Sequence, residues 1–549
     1  MLSFFKHSPY APAPADEQIA RLSGFGTAGE MLSLSFSLAA SAAIANLELA
    51  SSDLASATDS IPKSRVSLYI VKVWEQAGIG IYQSDAVRVP ELLLKDDRAL
   101  FRDGYSRRGS CGHWKHLLRA SHIYKPPDVR LEGDARTSLG CRESKQIWVS
   151  VKIPPDARAG LYDGHIEAKS GDQARVIKRL EFQIEVLPIK LLQPEQDLFF
   201  WYKGTLDCRS PQHYLAEEIF RAQLQDIYDH GFHSISLNEH DPEYLQQALD
   251  IADAVGFRRN VLLTASSPQQ FAEIDFKQMK PIYYVSDKVD GGDEGFVRAH
   301  IKKWRMVKSA GGQTMSTLYR QPFARRLFDD NDIGCAPDII NYYLPTNLDY
   351  FLAYSEFQNL RERKTYYYWQ THMEKPDAHR VLAGLYLWKS KAHGIAPYCY
   401  QHLPQHPFLP FDDFDEWQPG YHVGTERRPF KDHMTTYPAR SGSIPTLQWK
   451  GLTDGIYDLR YLITFEAALE RAESCRSTES EPFINEARRR FAEFLKRISI
   501  KGISITSDTN AAPYQEIQTE EYANFREQLA RDIVTLTDLT GACAGLDQE

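Results

Sequence analysis

The chain lacks any long apolar run. No stretch of 18 or more uncharged apolar residues occurs in its 549 residues, so we expect no membrane-spanning helix and no association with a membrane. The first 20 residues hold three prolines and two acidic residues, whereas a signal peptide needs a basic start and an unbroken apolar core. We therefore expect a cytoplasmic protein, or a secreted one if a leader peptide has been removed.

Cysteines are few, and basic residues are not in excess. The seven cysteines are an odd number and include no CxxC pair, which indicates free thiols in a reducing compartment. The segment 111–116 combines Cys with His but has no second pair of ligands nearby, so we expect no metal site there. Lys and Arg number 64 against 73 Asp and Glu, and this net charge of −9 argues against a nucleic-acid binder.

Aromatic residues, by contrast, are abundant. The chain has 29 Tyr, 27 Phe and 9 Trp, which together make up 12% of its residues. Its 43% hydrophobic and 25% charged residues are ordinary for a folded protein, and its length predicts two to four domains. Such an aromatic content suits a large core and also a cleft in which sugar rings stack.

The first 190 residues read as an all-β domain. Short alternating runs are separated by turn sequences that contain Pro, Gly and Asp, and many short strands with such turns predict a β-sandwich. The runs cover 32–38, 66–73, 147–153, 164–168 and 180–186.

From about residue 198 the pattern changes to alternating strands and helices. Eight such strands predict a multidomain α/β chain in which a (β/α)₈ TIM barrel covers 195–475 and a helical C-terminal segment covers 476–549. A doubly wound sheet is the competing interpretation, but it requires a Gly-rich phosphate loop after its first strand, and 201–205 is not one. The predicted strands are 198–202, 233–237, 260–264, 281–286, 313–318, 338–343, 365–369 and 395–400. The predicted helices are 212–229, 243–255, 294–309, 348–361, 376–392 and 447–471.

Polar and aromatic residues follow these strands, at the end of the barrel where catalysis takes place. Carboxylates there can protonate a leaving oxygen and stabilise positive charge at an anomeric carbon, while aromatic faces and amides bind sugar rings and hydroxyls. The candidate catalytic residues are Asp287, Glu239 and Glu294. The candidate substrate-binding residues are Lys288, Trp201, Tyr202, Asn238, Tyr319, Tyr343, Trp369, Tyr400 and Gln401.

Three stretches of the sequence resemble one known family. The first is IWVSVKIP at 147–154 with AGLYDG at 159–164, the second is VLAGLYLW at 381–388, and the third is IPTLQWKGL at 444–452 with DGIYDLRYL at 454–462. In this order they resemble the sandwich and the last barrel helices of glycoside hydrolase family 123. That family comprises β-N-acetylgalactosaminidase-type enzymes and uncharacterised bacterial relatives. The resemblance extends over about residues 30–465.

The resemblance implies substrate-assisted hydrolysis. In that family the 2-acetamido oxygen of the substrate attacks the anomeric carbon, and an Asp-Glu pair after the fourth strand orients the acetamido group and protonates the leaving group. The matching pair here is Asp287-Lys288, so the Asp is retained and the Glu is not. A lysine ammonium, with an ordinary pKa of about 10.4, is a poor proton donor at neutral pH.

Three explanations of this lysine stay open. Glu239 or the Asp293-Glu294 pair could supply the acid, although acids at the start of a helix also interact favourably with its dipole. Alternatively, Lys288 pairs with an anionic sugar, and Lys450, where relatives often carry an acid, is compatible with such a ligand. In the third explanation the protein binds glycan without cleaving it.

The sequence thus predicts a glycoside hydrolase that acts on a β-linked amino sugar or a related glycan. The alternative is a non-catalytic carbohydrate-binding protein with a degenerate barrel site. Both predict a carbohydrate as the partner, with no cofactor and no nucleic acid, and the sequence does not indicate the oligomeric state.

Overall fold

The computed structural model describes most of the chain. The described residues are 19–76, 87–98, 129–171, 175–210, 213–264, 268–289, 293–318, 336–343, 362–369, 371, 376–401, 434–475, 478, 480–497 and 519–544.

Eleven described strands before residue 190 form two sheets. The larger sheet has the order β1-β11-β10-β3-β8, with β4 and β5 attached, and the smaller has the order β2-β9-β6-β7. Successive side chains of a strand point to opposite faces of its sheet. In β2, Leu32 and Leu34 therefore lie on the same face, where they join a cluster of buried side chains to which both sheets contribute. The strands are β1 (Arg21–Thr27), β2 (Met31–Ala39), β3 (Ile44–Ser51), β4 (Leu54–Ala55), β5 (Ser60–Ile61), β6 (Val66–Gln76), β7 (Val87–Leu94), β8 (Ala135–Leu139), β9 (Ser144–Lys152), β10 (Gly160–Ser170) and β11 (Arg175–Leu187).

The next eight strands form a closed parallel barrel, which confirms the predicted barrel and excludes the doubly wound sheet. Seven of the eight lie within two residues of their predicted bounds, whereas the eighth is shorter than 395–400. Both faces of these strands are buried, one inside the barrel and one against the surrounding helices. The strands are β12 (Asp197–Phe200), β13 (Ser234–Leu237), β14 (Asn260–Leu263), β15 (Lys280–Ser286), β16 (Gln313–Leu318), β17 (Ile339–Tyr343), β18 (Lys364–Tyr368) and β19 (Gly394–Ile395).

Helices surround the barrel and form the C-terminal segment. Side chains of Asp241, Asp293 and Thr446 accept backbone N–H groups at the starts of α2, α3 and α6, as good N-caps do. No described helix is long and apolar enough to cross a membrane. The helices are α1 (Glu217–Asp229), α2 (Pro242–Val255), α3 (Glu294–Ser309), α4 (Pro376–Val381), a π-helical segment (Leu382–Tyr386), α5 (Leu387–Ser390), α6 (Leu447–Ser474), α7 (Glu481–Arg497) and α8 (Thr519–Ala544). A hairpin of β20 (Thr436–Ala439) and β21 (Gly442–Pro445) precedes α6, two 3₁₀ turns span Lys63–Arg65 and Pro268–Phe271, and the predicted helix 348–361 lies outside the described residues.

Two of the sequence stretches quoted above pack directly against each other. A Cβ atom at Gly384 would lie 2.5 Å from the carbonyl oxygen of Gly455, and a Cβ at Gly455 would lie 2.4 Å from that of Arg380. Glycine is therefore needed at both positions for α6 to approach the α4–α5 segment this closely.

A buried ionic cluster joins the N-terminal sheets to the helices. It comprises Glu30, Arg380, Asp454, Asp458 and Arg526, all less than 8% exposed. Arg526 donates a hydrogen bond to Glu30, and Arg380 binds both oxygens of Asp458 at 2.5 and 2.9 Å. The Asp454 carboxylate, one helical turn before Asp458, has no hydrogen-bond partner in the described part of the chain. Burial raises the pKa of Asp454 to about 6.

Candidate functional site

The candidate site is built around Asp287, directly after β15. Tyr284 donates a hydrogen bond of 2.8 Å to Asp287 Oδ1, and Thr317 at the end of β16 donates to the same oxygen. The Asp287 side chain is 55% exposed. Oδ1 is therefore held from two strands, and Oδ2 is the oxygen that remains to meet a ligand.

Tyr284 is suited to act as the permanent donor in this arrangement. Burial and the nearby Asp287 charge raise the pKa of Tyr284 well above that of a free tyrosine. The hydroxyl therefore stays protonated at all physiological pH values, and it also lies 2.8 Å from Thr317 Oγ1.

Lys288 stands beside this carboxylate in an unusual backbone conformation. Its φ is +48°, in the left-handed region that side-chain-bearing residues rarely occupy. Its backbone N–H donates to Thr317 Oγ1 at 3.1 Å, and its Nζ lies 3.9 Å from Asp287 Oδ2. Strained residues of this kind cluster at functional sites, so the observation adds to the case for this end of the barrel.

Five aromatic rings line the same end of the barrel interior. Together with Asp287 and Lys288 they form what we call the barrel mouth. The Trp201 ring meets the rings of Tyr284 and Tyr398 edge to face at 4.9 and 6.0 Å, and Tyr343 meets Tyr368 at 5.3 Å. Trp201 and Tyr343 were candidates from the sequence. Tyr284, Tyr368 and Tyr398 were not candidates, because all three lie inside predicted strands rather than at their ends.

One buried amide lies below the mouth. Asn341 pairs in register with Thr317 on one side and with Tyr366 on the other. Its side chain is fully buried, and among the described residues neither its oxygen nor its nitrogen has a hydrogen-bond partner. A buried amide without hydrogen bonds lowers the stability of the fold. Its presence indicates that this layer of the barrel interior has a role beyond packing.

Glu239 lies two residues after β13, and its carboxylate is hydrogen-bonded to the loop that follows β12. Thr205 Oγ1 and the Leu206 backbone N–H each donate to its carboxylate at 2.7 Å. The side chain is 1% exposed, and burial raises the pKa of Glu239. These hydrogen bonds fix the loop after β12 to Glu239, and the role of Glu239 as proton donor stays a prediction.

Four further candidates lie outside the barrel interior, among the surrounding helices and loops. The Tyr202 hydroxyl bonds to Gln223, Trp369 Nε1 to His379, the Tyr400 hydroxyl to Asp226, and Gln401 Nε2 to Thr436 and Ser443. The structure does not bring these four side chains together with Asp287. Their partners are groups of the surrounding layer, which explains their burial without a ligand.

The remaining candidate residues have different surroundings in the structure. Asn238 is half-buried after β13 and accepts a 3.1 Å hydrogen bond from Thr264. Glu294 begins α3, but its side chain, like the whole of Tyr319, lies outside the described residues. Lys450 is buried and donates to His230 Nε2 at 2.9 Å, so the expectation that it serves an anionic ligand at the site is corrected: its ammonium packs between α6 and α1. The described residues contain no group of three or more His, Cys, Asp or Glu that could hold a metal ion.

Comparisons with known proteins place the fold. No protein-family model matches the chain, and no curated sequence does either. The structure is similar to that of a family 123 glycoside hydrolase from Clostridium perfringens, with a TM-score of 0.61 and 14% identity over 94% of this chain and 95% of that one. The chain therefore has a glycoside-hydrolase-like fold of the kind expected from its sequence.

Two other matches are much weaker. A β-glucuronidase from Bacteroides uniformis gives a TM-score of 0.30 at 9% identity, over 74% of this chain and 47% of that chain. A GH99 endo-α-mannosidase from Bacteroides thetaiotaomicron gives 0.27 at 11% identity, over 44% and 79%. Superpositions at this level carry no argument about fold or function.

Proposed function

We propose that the protein is a glycoside hydrolase that acts on a β-linked amino sugar or a related glycan, with Asp287 as its central carboxylate. The observation that carries the proposal is the Asp287 carboxylate, fixed through one oxygen at the C-terminal end of a closed barrel and exposed through the other. The aromatic mouth around it and the glycoside-hydrolase-like fold support the same conclusion.

Asp287 can perform the orienting step of a substrate-assisted reaction. Its Oδ2 can accept the N–H of a 2-acetamido group and so hold the acetamido oxygen against the anomeric carbon. As that carbon becomes positive in the transition state, a nearby carboxylate also stabilises its charge. The partly exposed rings of Tyr398 and Tyr343 offer apolar surface for the sugar, and the buried Trp201 supports Tyr398 from behind.

The departing oxygen needs a proton from a second group. Glu239 is the described candidate, because burial raises its pKa and so favours the protonated form that a general acid needs. For that role Glu239 has to exchange its hydrogen bond with Thr205 for one to the substrate. Glu294 stays the alternative proton donor.

The proposal is tested by release of an aryl leaving group from synthetic β-glycosides, including an N-acetylgalactosaminide, an N-acetylglucosaminide and a galactoside. Asp287→Asn should lower turnover of the preferred N-acetyl sugar at least about a hundredfold, since it removes the charge that orients and stabilises. Asp250→Asn is the matched control, because Asp250 is equally exposed, at 54%, but lies on the outer helix α2. Equal turnover by wild type and Asp287→Asn contradicts the proposal.

A second candidate function is glycan binding without cleavage. Two observations favour it: lysine follows Asp287, and the carboxylate of Glu239 is already hydrogen-bonded at both oxygens. If the whole panel gives no turnover while sugar binding is retained and weakens in Asp287→Asn, this second function replaces the first.

We also propose that the two N-terminal sheets form one β-sandwich domain over 1–190, followed by the barrel over 195–475 and a helical segment over 476–549. The buried cluster shared by both sheets, which is separate from the barrel clusters, supports this division.

A further inference from the structure

Among the described residues, the charges at the barrel mouth are unbalanced toward positive. Lys288 lies on one side, next to Asp287, and Lys203, three residues after β12, lies on the other. A continuous line of contacts joins them, because Lys203 Nζ lies 5.6 Å from the centre of the Tyr398 ring, and Trp201 touches both Tyr398 and Tyr284. Both lysines therefore border the same aromatic cluster.

Lys203 has no carboxylate partner among the residues that the structure describes. Lys203 lies close to His213, and the pKa of His213 falls to about 4, chiefly because the ring is buried and also because Lys203 is near. His213 is thus neutral at physiological pH and cannot compensate or compete with the lysine charge. The half-buried Lys203 lies at the edge of the aromatic mouth.

Lys288 is only loosely paired. Its Nζ lies 3.9 Å from Asp287 Oδ2, and the two side chains are 46% and 55% exposed, so this contact contributes little. The backbone N–H of Lys288 is anchored to Thr317, which fixes where the side chain begins but leaves the ammonium able to reach a ligand.

The neighbouring acids do not offset these two cations. Glu239 is buried with both oxygens hydrogen-bonded, and Asp241 is paired with Arg209 while it caps α2. Among the described residues, two lysines and one carboxylate, that of Asp287, therefore lie at the barrel mouth.

Resting on the proposed function, we infer that the glycan bound at the mouth carries an anionic group, either the carboxylate of a uronic acid or a sulfate ester, which pairs with Lys288 and Lys203. Both groups are planar or compact anions that accept charge-assisted hydrogen bonds from ammonium groups. The aromatic rings pack on the sugar, and the lysines select its charge.

The test is isothermal titration of matched sugar pairs into the full-length protein. Glucuronic acid is compared with glucose, and galactose 6-sulfate with galactose, each at low and at high ionic strength. We expect the anionic member of at least one pair to bind about tenfold more tightly, with the difference shrinking as salt screens the lysines. The two pairs separate the carboxylate from the sulfate.

Variants connect this preference to the two lysines. Lys288→Gln and Lys203→Gln should each reduce the preference for the anionic sugar over its neutral partner at least about threefold. Lys391→Gln is the matched control, because Lys391 is also an exposed lysine with positive φ, at +51°, but lies over Trp388 in the outer layer.

The outcomes separate the two proposals. If neutral and anionic sugars bind equally, or if both lysine variants keep the full preference, this inference is overturned while the proposed function stands. If no sugar of either charge binds and no aryl glycoside is cleaved, the proposed function itself fails.

Discussion

Asp454 is a buried carboxyl that should destabilise the protein at neutral pH. Its two oxygens have no hydrogen-bond partner among the residues that the structure describes, and its pKa of about 6 in the folded protein compares with 3.8 for the free side chain. Because the folded-state pKa is raised, the folded protein binds the proton more tightly than the unfolded chain does. The associated stability is fully present below pH 3.8 and is lost as the pH rises through about 6.

The size of this effect follows from the same two values. At about 1.4 kcal/mol per pKa unit, the difference between 3.8 and about 6 corresponds to about 3 kcal/mol. Asp454→Asn keeps the shape of the protonated acid and cannot ionise. We therefore expect the variant to equal wild type near pH 4 and to exceed it by up to about 3 kcal/mol above pH 7.

The assay is urea unfolding of wild type and variant at a series of pH values from 4 to 8. Asp458→Asn serves as the contrast, because Asp458 lies one turn away on α6 but binds both ends of the Arg380 fork. It should lose stability at every pH by about 3 to 5 kcal/mol, since it leaves a buried arginine unpaired. A loss of stability in Asp454→Asn at pH 7 or above refutes the reasoning, because Asp454 would then be a needed counter-charge for Arg380.

Two further predictions concern the site and the domain junction. Thr317→Val removes one of the two hydrogen bonds to Asp287 Oδ1 and should lower turnover, or sugar affinity if the protein only binds, about fivefold. Thr317→Ser should restore it in the same assay, and failure of the serine to do so would indicate a packing effect instead. Arg526→Leu strands the fully buried Glu30 and should lower the free energy of unfolding by about 3 to 5 kcal/mol, measured in urea. An unchanged midpoint would show that Glu30 does not depend on Arg526.

The barrel strands could be predicted from the sequence because they alternate regularly with helices along the chain. The run QTMSTL at 313–318 is a strand over the same six residues, and 294–309 is a helix over the same sixteen. The N-caps Asp293 and Thr446 are local signals of the same kind. Such features depend on neighbouring residues alone, and hydrophobic periodicity reports them well.

The inward-facing side chains could not be predicted in the same way. Barrel strands are buried on both faces, so they show no alternation of polar and apolar residues from which to tell inside from outside. Tyr368 thus faces the interior and Trp369 faces the outer layer, although the sequence analysis chose only Trp369. Glu239 posed a different problem, because its commitment to Thr205 and Leu206 depends on how a loop folds over it.

The bond between Glu30 and Arg526 has a consequence for biosynthesis. The two residues are 496 positions apart, so a ribosome makes Glu30 long before it makes Arg526. An ionised carboxylate is costly to withdraw from water without its partner, so the turn between β1 and β2 reaches its final, buried position only after Arg526 has been made. Completion of the fold around Glu30 therefore waits for α8 to leave the ribosome, and a chain cut short before α8 carries its defect at the distant β1–β2 turn.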